Sequence, residues 1–474
     1  MCCVYHCFYD QSYIPQTLVR NDAALPCHPP LLRAVCKFCS QTSLLQAAVN
    51  HRRSVPNMNV GRPSLNWTAV LLAPLFFAFA GFLAFELSRP DLLIVGNITV
   101  DLVDGTTPTG GAASYAAVVA QALKARSCVV TVAGPEAELA VFEGSELYVI
   151  KANQTLTFEH TYAWWGHSRK LRVTANPNIT ISRAHVPLKC QLARVVLLGP
   201  LTLHDVDAGS FVRQPGFWDR LLNRNQLVGL MAQGFQRDLG SAGQVLPLPS
   251  PSKQLMVPCM WPAGASGADG LGARVSLFLS DVETGTWSQQ QLAAVAASCG
   301  RVVVTLGEKG ALLLPRRGSS AQPQHIPVVK VPKAVDTNGA GDTFATSFMI
   351  ALMRGDADPG RTAAWAASRA VMQPQTCKPR CAPALMTAAP DGLLPLSEAE
   401  RVRIALQPLL QRLQATVDPL LQPLLRRAAA ALPAGSLARL GWVRHMGQWA
   451  GAGSSRSTAA AAATAVTADT QAAN

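Results

Sequence analysis

Short aliphatic runs alternate with helical patterns through the middle of this chain. Leu92–Val95 and Val195–Leu198 are apolar at every position, and Val302–Leu306 is apolar except for Thr305, as is typical of strands that are buried on both faces of a sheet. Gln290–Ser298 precedes the last of these runs and has the spacing of a helix. Between residues 192 and 310 the order of strand, loop, helix and strand therefore predicts an α/β fold, with a doubly wound, mostly parallel sheet flanked by helices.

A second pattern occupies residues 147–173, where apolar and polar positions alternate. Alternation with a period of two predicts two or three strands that each have one exposed face. Aromatic residues, among them Tyr162, Trp164 and Trp165, are spaced along this stretch. We expect them to be packing residues more often than the wall of a pocket.

An apolar run, Trp67–Leu87, lies upstream of the first strand and carries no charge until Glu86. About 21 residues at ~1.5 Å each are long enough to cross a bilayer, so we expect a single-pass transmembrane helix. Arginines precede the run, and the positive-inside rule would then place the N-terminus in the cytosol and the downstream domain across the membrane. The alternatives are a buried helix, a mistaken N-terminal extension, or a targeting segment whose removal would leave the protein in the cytoplasm or in an organelle.

The composition changes on both sides of the central region. Residues 1–66 hold six of the 12 cysteines, including the Cys-x-x-Cys motif formed by Cys36 and Cys39. No second motif of this kind completes a zinc site, and we expect a disordered or targeting extension. Residues 381–450 contain a proline-interrupted helical pattern, and the Ala-rich residues 451–474 should be disordered. The scattered cysteines of the central region, Cys128, Cys190 and Cys299, are expected to be reduced packing residues.

The distribution of charge argues against nucleic-acid binding. The formal net charge is +13, yet only 15% of residues are charged, and no block of lysine and arginine appears. Much of the excess lies in the flanking extensions. We therefore expect no nucleic-acid partner.

Residues 336–344 read DTNGAGDTF and stand between a predicted strand and the apolar helical pattern Thr343–Met353. Backbone N–H groups at the start of a helix lack intrahelical acceptors, so the turn Gly339, Ala340 and Gly341 can bind an anion. Asp342, in the first turn, can accept a proton from an attacking hydroxyl. Residue types and order therefore predict phosphoryl transfer beside a carboxylate base.

This string resembles the C-terminal signature of the PfkB, or ribokinase-like, family of carbohydrate kinases. Further similarities occur in family order between residues 91 and 380: a strand that leads to Asp101, the pair Gly110 and Gly111, and the turn that contains Gly307 and Gly310. The resemblance implies a ribokinase-like fold in which residues of about 147–175 form a small β lid. It also implies a sugar or cyclitol substrate, and oligomers of the family can assemble through the lid.

The resemblance implies roles for particular residues. Asp342 is the base, with Gly339, Ala340 and Gly341 as the anion hole, and Asp101, Gly110 and Gly111 bind the substrate. ATP would contact Thr305, Gly307, Gly310 and Asn338. Glu283 would organise Mg²⁺ through water, and Asp336 would lie near a monovalent cation such as K⁺.

Three positions depart from the common family pattern: Ala112 stands in place of a lysine, Tyr115 in place of an asparagine, and Ser280 in place of an asparagine. The segment from Gly110 to Tyr115 is similar to plant inositol 3-kinases, which favours a cyclitol over common sugar substrates. The departures also leave a rival hypothesis, a catalytically inactive nucleotide- or metabolite-binding protein that is anchored to a membrane.

Overall fold

The structure is a computed structural model that describes residues 81, 84–103, 105–162, 169–212, 226–260, 274–315 and 322–374. All of them belong to one compact unit, Phe77–Asn474. The predicted extensions 1–66, 381–450 and 451–474 lie outside the described residues, as do Trp164, Trp165 and most of the apolar run Trp67–Leu87.

The strands described, in chain order, are β1 (Leu92–Gly96), β2 (Thr99–Val103), β3 (Thr109–Gly110), β4 (Ser127–Ala133), β5 (Glu146–Lys151), β6 (Leu156–Tyr162), β7 (Arg169–Ala175), β8 (Val195–Gly199), β9 (Leu227–Met231), β10 (Arg237–Leu239), β11 (Val245–Pro247), β12 (Val275–Ser280), β13 (Arg301–Thr305), β14 (Ala311–Pro315) and β15 (Gln324–Ile326). The α-helices described are α1 (Ala112–Ala122), α2 (Leu188–Gln191), α3 (Ala208–Phe211), α4 (Lys253–Met260), α5 (Asp281–Thr284), α6 (Gln289–Ser298), α7 (Ala340–Arg354) and α8 (Pro359–Val371).

Nine strands form the main sheet in the order β15-β14-β13-β12-β9-β8-β1-β4-β5. Neighbouring strands are parallel from β13 to β5, and only β14 and β15 pair in the antiparallel sense. From β1 the chain builds outward through β4 and β5, and then returns to the other side of β1 to build β8, β9, β12 and β13. The predicted doubly wound, mostly parallel α/β sheet is confirmed, and the strand order reverses between β1 and β8.

Both faces of this sheet are covered, which explains why the central strands β1 and β8 carry no polar side chain. Along β1, Leu92 and Ile94 belong to one core cluster and Leu93 and Val95 to the other. The first cluster includes apolar side chains of α1, α7 and α8. The second includes side chains of α2, α4 and α6. The helices therefore lie in two layers with the sheet between them.

A smaller four-stranded sheet has the order β3-β2-β6-β7. It differs from the predicted lid of about 147–175 in two ways. It also contains β2 and β3, which come directly after β1 and are too short to stand out in the sequence. It lacks β5, which pairs in parallel with β4 at the edge of the main sheet. This edge strand is at least partly exposed at every position, and partly exposed strands were expected in the lid.

The expectation of reduced core cysteines is wrong. Cys128 on β4 forms a disulfide with Cys190 on α2, and Cys259 on α4 forms a disulfide with Cys299, directly after α6. All four are buried in the second core cluster. Each bond joins residues at least 40 positions apart, so the pairing depends on the tertiary fold and left no local pattern.

The C-terminal end of the apolar run packs on the domain. Residues 84–88 are helical, and Glu86 is 4% exposed. Its carboxylate lies 2.9 Å from Arg89 Nη1 and 3.9 Å from Arg194 Nη2. The Leu87 carbonyl accepts a hydrogen bond from the Arg126 guanidinium. No helix in the described part of the chain is both long and apolar enough to cross a bilayer.

Candidate active site

A cavity opens where the strand order of the main sheet reverses. In sheets of this kind the carboxyl ends of the strands on either side of the reversal diverge and leave a crevice. Residues that follow β1, β8 and β9 line the cavity together with the first turn of α7 and side chains of the second sheet. The lining residues are Thr99, Asp101, Gly111, Ala112, Tyr115, Phe158, His160, Leu171, Leu201, Gln233, Arg237, Asn338, Gly339 and Asp342.

Asp342 enters the cavity from the first turn of α7. At this helix start the Ala340 N–H donates to the Thr337 carbonyl (3.2 Å), and the Thr343 N–H donates to Gly339 (2.9 Å). The Gly341 N–H has no backbone acceptor among the described residues. The Ala340 N–H is therefore committed to the turn, whereas the Gly341 N–H is available to a ligand.

Gly339 has a structural reason to be glycine. Its φ is 72°, in the left-handed region. A Cβ at this position would lie 2.5 Å from ring atoms of Tyr115. The aromatic residue that departs from the family pattern thus packs directly against the turn that precedes Asp342.

Asp101 lies on β2, opposite the turn of α7, and is buried. Thr99 donates to its Oδ1 atom at 2.9 Å. Gly110, the first glycine of the predicted pair, packs against this carboxylate, because a Cβ on Gly110 would meet Asp101 Oδ2. The structure thus brings together Asp101, Gly110, Gly111, Asn338, Gly339 and Asp342, which the sequence assigns to one site.

Three polar side chains in the cavity were not predicted. His160, on β6, places its Nε2 atom 3.7 Å from Asp101 Oδ2. Arg237 donates to Gln233 Oε1 at 3.0 Å, and its guanidinium lies 5.8 Å from the centre of the Phe158 ring. No periodicity or spacing marks them in the sequence, because strand pairing and the crossover after β9 bring these residues to the cavity.

Asp205 lies beneath the cavity wall and is 4% exposed. Its Oδ2 atom accepts hydrogen bonds from the backbone N–H of Leu201 (2.8 Å) and Thr202 (3.2 Å) and from Asn97 Nδ2 (3.4 Å). Burial raises the pKa of the Asp205 carboxyl to about 7, although these backbone hydrogen bonds oppose the shift. Leu201 lines the cavity, so this buried carboxyl holds part of the wall.

The residues predicted to contact ATP do not all line this cavity. Asn338 does, whereas Thr305, Gly307 and Gly310 lie at and beyond the end of β13. Gly307 and Gly310 have φ angles of 57° and 89° and form a tight turn. Thr305 is the register partner of Ser280 on β12, so these residues gather at the carboxyl ends of adjacent strands.

The two predicted metal-associated carboxylates have local partners. Glu283 accepts hydrogen bonds from the backbone N–H and the side-chain hydroxyl of Ser280, both at 2.5 Å, at the start of α5. Asp336 accepts a hydrogen bond from the Asn338 N–H at 2.9 Å. Neither carboxylate lines the cavity with Asp342.

Comparison with known proteins supports the sequence resemblance. Residues 276–383 match the family described as pfkB family carbohydrate kinase, and that segment includes the DTNGAGDTF string. A stretch of 59 residues is 42% identical to the bifunctional protein HldE of Bradyrhizobium diazoefficiens. It covers 12% of this chain and 11% of that protein, so the chain spans about a ninth of the length of this curated relative.

Solved structures with a similar arrangement belong to ribokinase-type enzymes. Ribokinase from Arabidopsis thaliana, complexed with ribose and ATP, is 19% identical with a TM-score of 0.43, covering 67% of this chain and 99% of its own. A pyrophosphate-dependent kinase in the ribokinase family, complexed with a pyrophosphate analogue and myo-inositol, is 13% identical with a TM-score of 0.45, covering 60% and 96%. The fold assignment rests on the observed strand order.

Proposed function

From the PfkB match over residues 276–383, we propose that this chain is an ATP-dependent kinase that phosphorylates an alcohol hydroxyl of a sugar or cyclitol. One observation carries the proposal. Asp342, on the first turn of α7, lines the same cavity as the buried Asp101. A base at a helix start and a second carboxylate for substrate hydroxyls are the two groups that this transfer needs.

In the proposed reaction, Asp101 accepts hydrogen bonds from substrate hydroxyls and orients the reacting alcohol. Asp342 accepts the proton of that alcohol while its oxygen forms a bond to the γ-phosphorus of ATP. The bond from the γ-phosphorus to the bridging oxygen breaks, and ADP leaves. The Gly341 N–H and the positive end of α7 would stabilise the negative charge of the transferring group.

ATP and Mg²⁺ are part of this proposal. Gly307, Gly310 and Thr305 would form the turn against the nucleotide, and Asn338 would contact it from the cavity. Mg²⁺, when bound, would neutralise phosphate charge, and Glu283 would reach it through water because its carboxylate already accepts two hydrogen bonds from Ser280. Asp336 would lie near a monovalent cation, for which K⁺ is the candidate.

The substrate class that we favour is a cyclitol such as inositol. Two observations support it. Ala112 lines the cavity where many sugar kinases of the family carry a lysine, and the aromatic Tyr115 replaces an amide on the same wall. We also propose that the apolar segment anchors the protein to a membrane and that oligomers form through the second sheet.

The test is an ADP-release assay with inositols, pentoses, hexoses and nucleosides, in the presence of Mg²⁺ and K⁺. We expect turnover of at least one polyol, and Asp342→Asn should lower kcat by at least ~10²-fold because it removes the general base. Asp207→Asn is the matched control, since Asp207 is exposed and outside the cavity. Full turnover by Asp342→Asn would rule out the assigned mechanism.

A further inference from the structure

His160 and Asp101 face each other inside the cavity, and both side chains are at least nine-tenths buried. They lie on neighbouring parallel strands, where Asp101 is the register partner of Phe158 and His160 the partner of Val103. Positions two apart on a strand point to the same face of a sheet. Strand pairing therefore fixes both polar groups on the face of the second sheet that lines the cavity.

The distance from His160 Nε2 to Asp101 Oδ2 is 3.7 Å. A separation of this length is too great for a direct hydrogen bond. It does suit two adjacent ligand oxygens, one of which donates to the carboxylate while the other accepts from the Nε2–H of the imidazole. Two neighbouring hydroxyls of a polyol present such a pair of oxygens.

We propose that His160 is a specificity-determining residue. It would donate a hydrogen bond to the hydroxyl next to the one that is bound by Asp101, so that the pair selects a vicinal diol. This inference rests on the proposed kinase function and deepens it by naming a second recognition residue. Thr99 donates to Asp101 Oδ1, and Oδ2 is the oxygen that faces His160. A substrate with only one hydroxyl at this place would satisfy Asp101 and not His160.

The charges around this pair set the chemistry of the ligand. The acidic groups that line the cavity are Asp101 and Asp342, and the basic groups are Arg237 and His160. Arg237 is engaged by Gln233 and lies over the Phe158 ring. Because the cavity contains the carboxylates of Asp101 and Asp342, and the Arg237 guanidinium already has a partner, the cavity suits a neutral polyol better than a polyol phosphate.

The test compares His160→Leu with His160→Gln. Glutamine places an amide nitrogen near the position of Nε2 and can still donate, whereas leucine fills a similar volume without a donor. We measure kcat and KM with the polyol that the wild type turns over fastest and with analogues of that polyol that each lack one hydroxyl. For myo-inositol or D-ribose, these analogues are the monodeoxy forms.

We expect His160→Leu to raise KM for the parent polyol by about tenfold to a hundredfold with little change in kcat, because a buried group loses its hydrogen bond. His160→Gln should restore most of the affinity. For one deoxy analogue, wild type and His160→Leu should have the same KM. His185→Leu is the control, because His185 is exposed and outside the cavity.

If wild type and His160→Leu discriminate every deoxy analogue equally, the histidine inference fails while the kinase function stands. If the leucine variant does not fold, as judged by ATP binding, the glutamine variant and the analogue series decide in its place. If the wild type turns over no polyol, the proposed function fails. Calorimetry with myo-inositol and D-ribose then tests the histidine separately, and absence of binding by the wild type overturns both ideas.

Discussion

Asp205 is the residue whose charge should make stability depend on pH. Burial raises its pKa to about 7, above the ordinary value of 3.8. Between these values the folded chain holds a proton that the unfolded chain has released, so stability falls as the pH rises from about 4 to about 7 and is then constant. The slope for one proton approaches about 1.4 kcal/mol per pH unit.

Asp205→Asn should remove this slope, because an amide does not ionise while its oxygen can still accept from Leu201 and Thr202. We expect the Tm of the variant, relative to that of the wild type, to rise between pH 5 and pH 8 in thermal unfolding. Asp207→Asn, at an exposed position, should leave the pH dependence unchanged. Parallel pH profiles for wild type and Asp205→Asn would show that Asp205 is ionised in the folded protein.

Residues that act through a local motif could be predicted, and residues that act through strand pairing could not. Asp342 and its glycines are adjacent in the chain, so their residue types and order were sufficient to place them at a helix start. His160 reaches Asp101 only because β6 pairs with β2, and paired residues of these two strands are 57 positions apart in the chain. No pattern in the sequence marks such a register. The same reason explains the two disulfides, whose cysteines come from separate elements.

At the level of elements, buried parallel strands were easy to predict and edge strands were not. β1, β8 and the centre of β13, Val302–Val304, are short apolar runs, because helices cover both of their faces. β5 is at least partly exposed at every position, so it resembled a strand of the second sheet. The hydrophobic pattern of a strand indicates which of its faces are buried, but it does not indicate which sheet the strand joins.

The start of α7 supports a prediction that separates structural glycine from functional glycine. Gly339→Ala should lower stability by roughly 1–3 kcal/mol, because a left-handed residue gains a Cβ that meets the Tyr115 ring. Gly341→Ala should be neutral or slightly stabilising, since a Cβ there has nothing within 4 Å. Its methyl group would nonetheless occupy the space beside the Gly341 N–H and should weaken phosphate binding.

Thermal unfolding and kinetics with ATP check this pair of variants. The expected result is a lower Tm for Gly339→Ala alone, together with a higher KM for ATP or a lower kcat for Gly341→Ala. If Gly341→Ala has both the stability and the kinetics of the wild type, the anion-hole role of this amide is wrong.

For the whole molecule, the ion-pair cluster around Glu86 limits where a membrane segment can end. Glu86 is buried against Arg89 and Arg194, and burial lowers the pKa of the Arg194 guanidinium while the carboxylates of Asp91 and Glu86 oppose that shift. Residues 84–88 therefore belong to the folded domain. The segment available to a bilayer is 67–83, 17 residues, which is at the short end of the range of roughly 17–25 for a spanning helix.

This limit gives a prediction about two truncated chains. A chain that begins at residue 84 should be soluble and should bind ATP, because it keeps Glu86 and every recognised motif. A chain that begins at Ser88 loses the Glu86 carboxylate, one of the two that offset the burial of Arg194, which should cost toward the lower end of roughly 3–5 kcal/mol, since Asp91 remains nearby. Glu86→Gln in the longer chain should reproduce most of that loss in Tm, and equal Tm values for both chains would mean that residues 84–87 add nothing to the domain.

The full-length protein should sediment with membranes and resist extraction by carbonate, whereas a full-length protein that stays in the supernatant would exclude the proposed anchor.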